Sequence, residues 1–234
     1  MSVRAGVIAV TSLALEARIA QGPGVSVVLC NEAHHLAARL GAVVARGASG
    51  IISFGIAGAL APHLVAGDCI IASAVRYGDG TFATDRSWAQ RLLGAIPDAI
   101  HAEVVGSDTI LAHPTQKAQA HAQTRAIAVD MESHIAASVA HAHRIPFAVC
   151  RIVIDAAHRT LPPAAAVGLR PDGAPDVLAV MRSVLKKPSQ VPDLIRTAID
   201  ARIAENALRR VRRQLGEGLG IAAGDDVALE LAVA

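Results

Sequence analysis

Large rings are scarce in this chain: one Trp, one Tyr and three Phe among 234 residues, 2% of the sequence, while 53% is hydrophobic. A core built on aromatic packing is excluded, and Ala, Val, Ile and Leu must fill the interior. Such residues suit a buried parallel or mixed sheet flanked by close-packed helices. Charge of one sign is lacking as well. With 22 Lys and Arg against 20 Asp and Glu, a net charge of +2 shows none of the basic excess of a nucleic-acid binder. No run reaches the roughly 18 consecutive apolar residues of a membrane span. The opening Met1-Ser2-Val3-Arg4 leads into a strand rather than a signal segment, so a cytoplasmic protein is expected. Cysteine is limited to Cys30, Cys69 and Cys150, without CxxC spacing, which argues for reduced core thiols. Pro/Gly/Ser-rich linkers are missing, so the chain reads as one large α/β domain.

What is present is alternation. Short β-branched runs bounded by Gly, Asp or Pro predict strands at 3–10, 25–30, 50–54, 68–75, 102–106, 126–130 and 147–153. Helical periodicity falls at 13–20, 31–46, 86–95, 114–123, 132–143 and 175–186. Asn31 is placed to cap the second helix, and Pro114 suits the first turn of the fourth. The alternation predicts a sheet covered on both faces. From 190 the pattern changes. Pro192-Asp193 opens a helix to Leu215 with a stripe of Leu194, Ile195, Ala198, Ile199, Ile203, Ala207, Val211 and Leu215. That stripe is expected to pack against the domain or a second subunit, with Arg196, Arg202, Arg209, Arg210 and Arg213 outward. Residues 1–188 thus form the expected catalytic unit, 189–216 its helical extension, and 217–234 a loosely held tail.

Two segments carry chemistry. Ala128-Val129-Asp130-Met131-Glu132-Ser133 and Pro146 to Asp155 bring carboxylates to strand ends, where open α/β sheets bind ligands. Glu132 also fits a first-turn acid favoured by the helix dipole, and Asp155 a cap ahead of Ala156-Ala157. Met131 taken alone fits a core residue. Ser53-Phe54-Gly55-Ile56-Ala57-Gly58-Ala59-Leu60-Ala61-Pro62 reads as a strand entering a loop. Its glycines either bring backbone N–H groups close to a ligand or make a plain tight turn. The histidines form no metal site. His141 and His143, like His34 and His35, project apart on their helices, and no His/Cys/carboxylate cluster has zinc spacing. His158 fits a solvated loop position.

These segments resemble the purine-nucleoside phosphorylase and nucleosidase superfamily over about residues 5–160. That family carries Val-Glu-Met-Glu-Ala, a following strand ending Arg-x-x-Ser-Asp, and Gly-x-Ala-Gly-Gly-Leu-x-Pro. Gly67-Asp68, Arg76-Tyr77-Gly78-Asp79 and Val104 to Asp108 extend the likeness. The resemblance implies a three-layer αβα fold around a central mixed, twisted sheet. It implies cleavage of the bond between a purine and a ribosyl carbon, with no cofactor or metal. Asp155 would protonate purine N7 as general acid, which requires a raised pKa. Glu132 would hold the 2′- and 3′-hydroxyls as positive charge grows on the sugar, with Met131 against the ribose face. Glu16, in Leu13-Ala14-Leu15-Glu16-Ala17-Arg18, would position an attacking water; an exposed helix acid is the alternative. Gly55, Ile56, Ala57, Gly58, Ile110, Asp130 and Ile154 would line the substrate.

Departures from the family pattern bear on that reading. Ile154 stands where the family has a serine, and Asp130 replaces the first glutamate of Glu-Met-Glu. Ile110 falls where nucleosidases stack a phenylalanine on adenine, leaving aliphatic sandwiching. Ile52-Ser53-Phe54 lacks the arginine that phosphorolytic relatives place before the glycines. Arg18, Arg46 and the backbone at Gly55–Gly58 are what is left for a phosphate. The glycine segment, Leu161-Pro162-Pro163, Val167 to Gly173 and the arginine-rich last helix look like the hopanoid-associated phosphorylase subgroup. That implies inorganic phosphate as co-substrate and a 5′-substituted adenosine carrying a lipid, such as adenosylhopane, met at the inner membrane surface. A homo-oligomer, a dimer first, is expected. Hydrolysis of methylthioadenosine or S-adenosylhomocysteine is one alternative, and a non-catalytic nucleoside-binding protein is another.

Overall fold

A computed structural model of the chain describes residues 6–30, 33–163 and 177–221. Eight strands, β1 (Val7–Thr11), β2 (Val25–Leu29), β3 (Gly50–Ala59), β4 (Cys69–Tyr77), β5 (Gly80–Ala83), β6 (Ile100–Gly106), β7 (Ala128–Asp130) and β8 (Phe147–Asp155), join in one mixed sheet. Among the described residues seven α-helices accompany it: α1 (Ala14–Ala20), α2 (Ala33–Val44), α3 (Arg86–Ala95), α4 (Pro114–Thr124), α5 (Ser133–His143), α6 (Val177–Lys186) and α7 (Val191–Leu215). The sheet runs β2-β1-β3-β7-β6-β4-β5, and β8 pairs with both β3 and β4. Strands β3, β8, β4, β6 and β7 therefore close a ring. Within it β3–β8, β4–β6 and β6–β7 are parallel, while β4–β8 and β3–β7 are antiparallel.

Strand alternation sorts side chains into two layers. Ile8, Val10, Ile51, Val149 and Val153 pack with Leu36, Leu40 and Val44 of α2 and Ala136, Ala137 and Ala140 of α5. Val7, Ala9, Ile52, Phe54, Cys150 and Ile152 pack with Ile19 of α1, Trp88 and Leu92 of α3, and Ala204, Leu208, Val211 and Leu215 of α7. This is the expected three-layer arrangement around a mixed sheet. On β8, Arg151 keeps phase with Val149 and Val153, and Ile154 is an extra residue in the register with β3 just before Asp155.

Three expectations change. The loop expected at Gly55–Gly58 is strand, because β3 continues to Ala59 with β8 on one side and Val129 of β7 against Gly58 on the other. The apolar stripe of the last helix is only half buried. Ala204, Ala207, Leu208, Val211 and Leu215 are enclosed, while Val191, Ile195, Ile199 and Ile203 face outward. The start of the expected loose tail is docked instead: 217–220 forms a 3-10 turn, Leu219 is buried, and Trp88 Nε1 donates to the Leu219 carbonyl at 2.9 Å. Asn31, Val167–Gly173 and 222–234 lie outside the described residues. All three cysteines are buried.

Candidate active site

Sequence reasoning assigns Arg151 no role, yet the site is built around it. The side chain is fully buried, and an unpaired guanidinium there would cost several kcal/mol. Its partners come from three elements. Nη2 donates to Ser53 Oγ on β3 at 2.6 Å and to Glu132 Oε2 at 3.1 Å, and Nη1 to the Ile56 carbonyl at 3.3 Å. Nε lies 3.2 Å from Asp130 Oδ2, off the line of its N–H, so that contact is an ion pair without a hydrogen bond. Burial works against the charge, but Asp130, Glu132 and Glu16 outweigh it and hold the guanidinium above its ordinary pKa.

Gly55 makes the convergence possible. It is paired with Arg151 across β3–β8, and a Cβ there would lie 2.4 Å from Glu16 Oε1 and 2.9 Å from Arg151 Nη1. Glu16 is no exposed helix acid. It is buried, with Oε1 accepting Ile56 N–H at 2.8 Å and Oε2 accepting Ser12 N–H at 3.0 Å and Leu13 N–H at 2.9 Å. Its reach back to Leu13 is also the cap of α1. Burial raises its pKa, with Arg151 opposing. Glu132 is pushed to about 7 by burial first, with Arg151 pulling down and Asp130 and Glu16 pushing further up.

Asp130 bonds to the start of α5. Oδ1 accepts the Glu132 and Ser133 N–H groups at 3.0 and 2.7 Å, and Oδ2 accepts Ser133 Oγ–H at 2.6 Å. With Arg151 beside it, this carboxylate holds the start of α5. Met131 next to it is half-buried. Ile154 packs partly into the α7-side core rather than with Asp155. Ile110 is 43% exposed, beyond the end of β6. Arg18 is exposed, with Nε turned to its own helix at the Ala14 carbonyl, 3.3 Å away. Arg46 follows α2 and precedes the start of β3, at the opposite end of the sheet from Gly58 and Asp155. Neither of these arginines joins the site. Ile56 N–H, one of the donors expected to meet a ligand, is given to Glu16.

Asp155 closes the arrangement. A register shift between Ala57 and Gly58 brings Gly58 opposite it, and a Cβ on Gly58 would lie 3.1 Å from Asp155 Oδ1. Its Oδ2 is ion-paired with Lys117 of α4, a residue that sequence reasoning missed because nothing local marks a buried lysine. Burial raises the Asp155 pKa, Lys117 lowers it, and Asp200 adds a small upward push. The site thus holds a buried acid at the end of β8 and, four residues back along the strand, a carboxylate pair on one guanidinium. Among the described residues no group of His, Cys, Asp or Glu has the arrangement of a metal site.

Solved structures share this fold at low identity. The S-adenosylhomocysteine nucleosidase of Streptococcus pyogenes, in complex with 5-methylthiotubericidin, matches with TM-score 0.59 and 16% identity over 90% of this chain and 99% of that one. The nucleosidase of Neisseria meningitidis, in complex with methylthio-immucillin-A, matches with TM-score 0.62 and 16% identity over 88% and 97%. A putative methylthioadenosine nucleosidase from Weissella paramesenteroides gives 0.61 and 18% over 92% and 98%. The family model described as phosphorylase superfamily matches residues 11–187, which contain every residue of the site, and the chain belongs to that superfamily.

Proposed function

We propose that this protein cleaves the N-glycosidic bond of an adenine nucleoside, with water as the acceptor. The observation that carries the reading is strand β8, with buried Asp155 at its end and Arg151 binding Glu132 four residues earlier. In this reading Asp155 gives its proton to purine N7 while the C1′–N9 bond breaks and its electron pair leaves with the base. Glu132 accepts the ribose hydroxyls and gains strength as the sugar becomes cationic. Glu16 takes a proton from the water whose oxygen bonds to C1′. The Streptococcus protein is an S-adenosylhomocysteine nucleosidase and the Neisseria protein a 5′-methylthioadenosine/S-adenosylhomocysteine nucleosidase, which agrees with an adenine nucleoside here.

The motif resemblance points to phosphate as acceptor, while the charge of the site favours water. Glu16, Asp130 and Glu132 share one buried guanidinium, so negative charge is already gathered there. A phosphate would bring nearly two further negative charges to a place where neither Arg18 nor Arg46 reaches. Adenine release in phosphate-free buffer, with the sugar identified by mass, tests the assignment. The expected result is free ribose product at a rate indifferent to added phosphate; a phosphate-dependent rate with a sugar 1-phosphate product overturns it. For the 5′ substituent, a lipid such as that of adenosylhopane is supported by exposed Ile195, Ile199 and Ile203, on the helix whose Asp200 pairs with Arg159 just beyond Asp155. A place at the membrane surface, and assembly as a dimer, belong to the same proposal. No described helix is long and apolar enough to cross a membrane.

A further inference from the structure

Two of the largest fully buried side chains are cations, Arg151 and Lys117. Arg151 is explained by its carboxylates. Lys117 stands on α4, outside every segment in which motifs were found, with 1% exposure. A structural role for it alone would be satisfied by backbone acceptors, and it has two: Nζ donates to the Ala156 and Arg159 carbonyls at 3.1 Å each. Its third donor goes to Asp155 Oδ2. All three ammonium protons are therefore spent on the acid and on the backbone that follows it. The same segment is tied to the approach to α4 by Leu161 N–H, which donates to the Ala112 carbonyl at 2.9 Å.

We propose that Lys117 is the positioning residue of Asp155. It holds Oδ2, leaves Oδ1 to carry the proton on the Gly58 side, and stabilises the carboxylate that remains once the proton has gone to the purine. This rests on the reading of Asp155 as the general acid. An acid transfers its proton more readily when the resulting anion is held, and an ammonium in hydrogen-bond contact in a water-poor setting is an effective holder. The groups facing Asp155 are Lys117 from α4 and, further off, Asp200 from α7, so Lys117 is its dominant charge partner. In the transfer, the Asp155 O–H bond breaks and the N7–H bond forms; Lys117 keeps its protons throughout.

The test is Lys117→Met, with Lys117→Gln as a second variant that retains a donor for the carbonyls. The alkaline fall of kcat/KM, set by loss of the Asp155 proton, should move to higher pH in both. At pH values below that fall, adenine release should drop at least about 10-fold because the neutral acid is weaker. A nitrophenyl riboside, whose leaving group needs no proton, should be cleaved at near the parent rate by both. Lys117→Arg, which keeps the cation, should leave the alkaline fall in place. Equal losses on both substrates, an unmoved pH profile, or failure of both neutral variants to fold would make Lys117 a framework residue and overturn the proposal. Asp155→Asn separates the two readings. It should lose at least 10²-fold on the purine nucleoside, and near-parent turnover would remove Asp155 itself as the acid.

Discussion

A guanidinium without exposure survives only where acceptors surround it, and around Arg151 those acceptors include Glu132, to which the proposed reaction gives the ribose hydroxyls. This sets a pH dependence. Because the Glu132 pKa is near 7 in the folded protein and ordinarily 4.5, the carboxylate form grows as pH rises through about 7. Only that form accepts two ribose hydroxyls, so kcat/KM should rise through the same range, and Glu132→Gln should abolish the rise and lower kcat as well as affinity. A pH profile identical in the variant would reassign the limb to another group. Stability runs the other way. A carboxyl whose folded pKa is raised contributes stability that is fully present below about 4.5 and is lost as pH climbs through about 7. Thermal melts across that window should show the parent losing more than Glu132→Gln. At this scale the sequence made Asp155 and Glu132 legible through their strand-end positions. It gave no sign that Asp130 also bonds to the start of α5, since those hydrogen bonds depend on how β7 enters the helix. Lys117 and Arg151 were illegible as site residues: what identifies them is burial among partners as many as 98 residues away in the chain, as Ser53 is from Arg151.

At the scale of elements, periodicity placed most strands and helices within a few residues. β5 was missed because four residues of Gly80-Thr81-Phe82-Ala83 carry no alternation. The extension of β3 through its glycines was missed for a different reason. Glycine normally weakens a strand, and only the closed ring, which supplies hydrogen-bond partners on both sides, keeps this one extended. Gly55 is the position where that extension meets the site. Gly55→Ala would drive a methyl group into Glu16 and Arg151, and overpacking of this kind costs about 1–3 kcal/mol. Chemical denaturation should show a loss in that range together with reduced adenine release. A variant as stable and active as the parent would mean that Glu16 does not sit against β3.

At the scale of the whole molecule, the last helix belongs to the fold. Truncation after Lys187 removes Ala204, Leu208, Val211, Leu215 and Leu219 from the core on the α1 and α3 side. A single buried leucine is worth about 2–5 kcal/mol when cut to alanine, and the total stability of a domain is about 5–15 kcal/mol. The truncated chain should therefore fail to give a cooperative melt. Ile195→Ser, on the exposed half of the same helix, should shift stability by no more than about 0.5 kcal/mol. The sequence drew one continuous stripe along this helix; which half is covered depends on where the sheet ends, and periodicity does not carry that.

The single tryptophan gives these experiments a common optical signal. Trp88 lies without exposure on α3, packed with Leu92 and Leu219, and its indole N–H is engaged by a carbonyl 131 residues away, past the end of α7. Its emission is a one-site reporter of whether the C-terminal turn is seated. A blue-shifted spectrum means the two distant parts of the chain are joined, and a red shift means they have separated. Every variant named above can be sorted by that colour before any substrate is added.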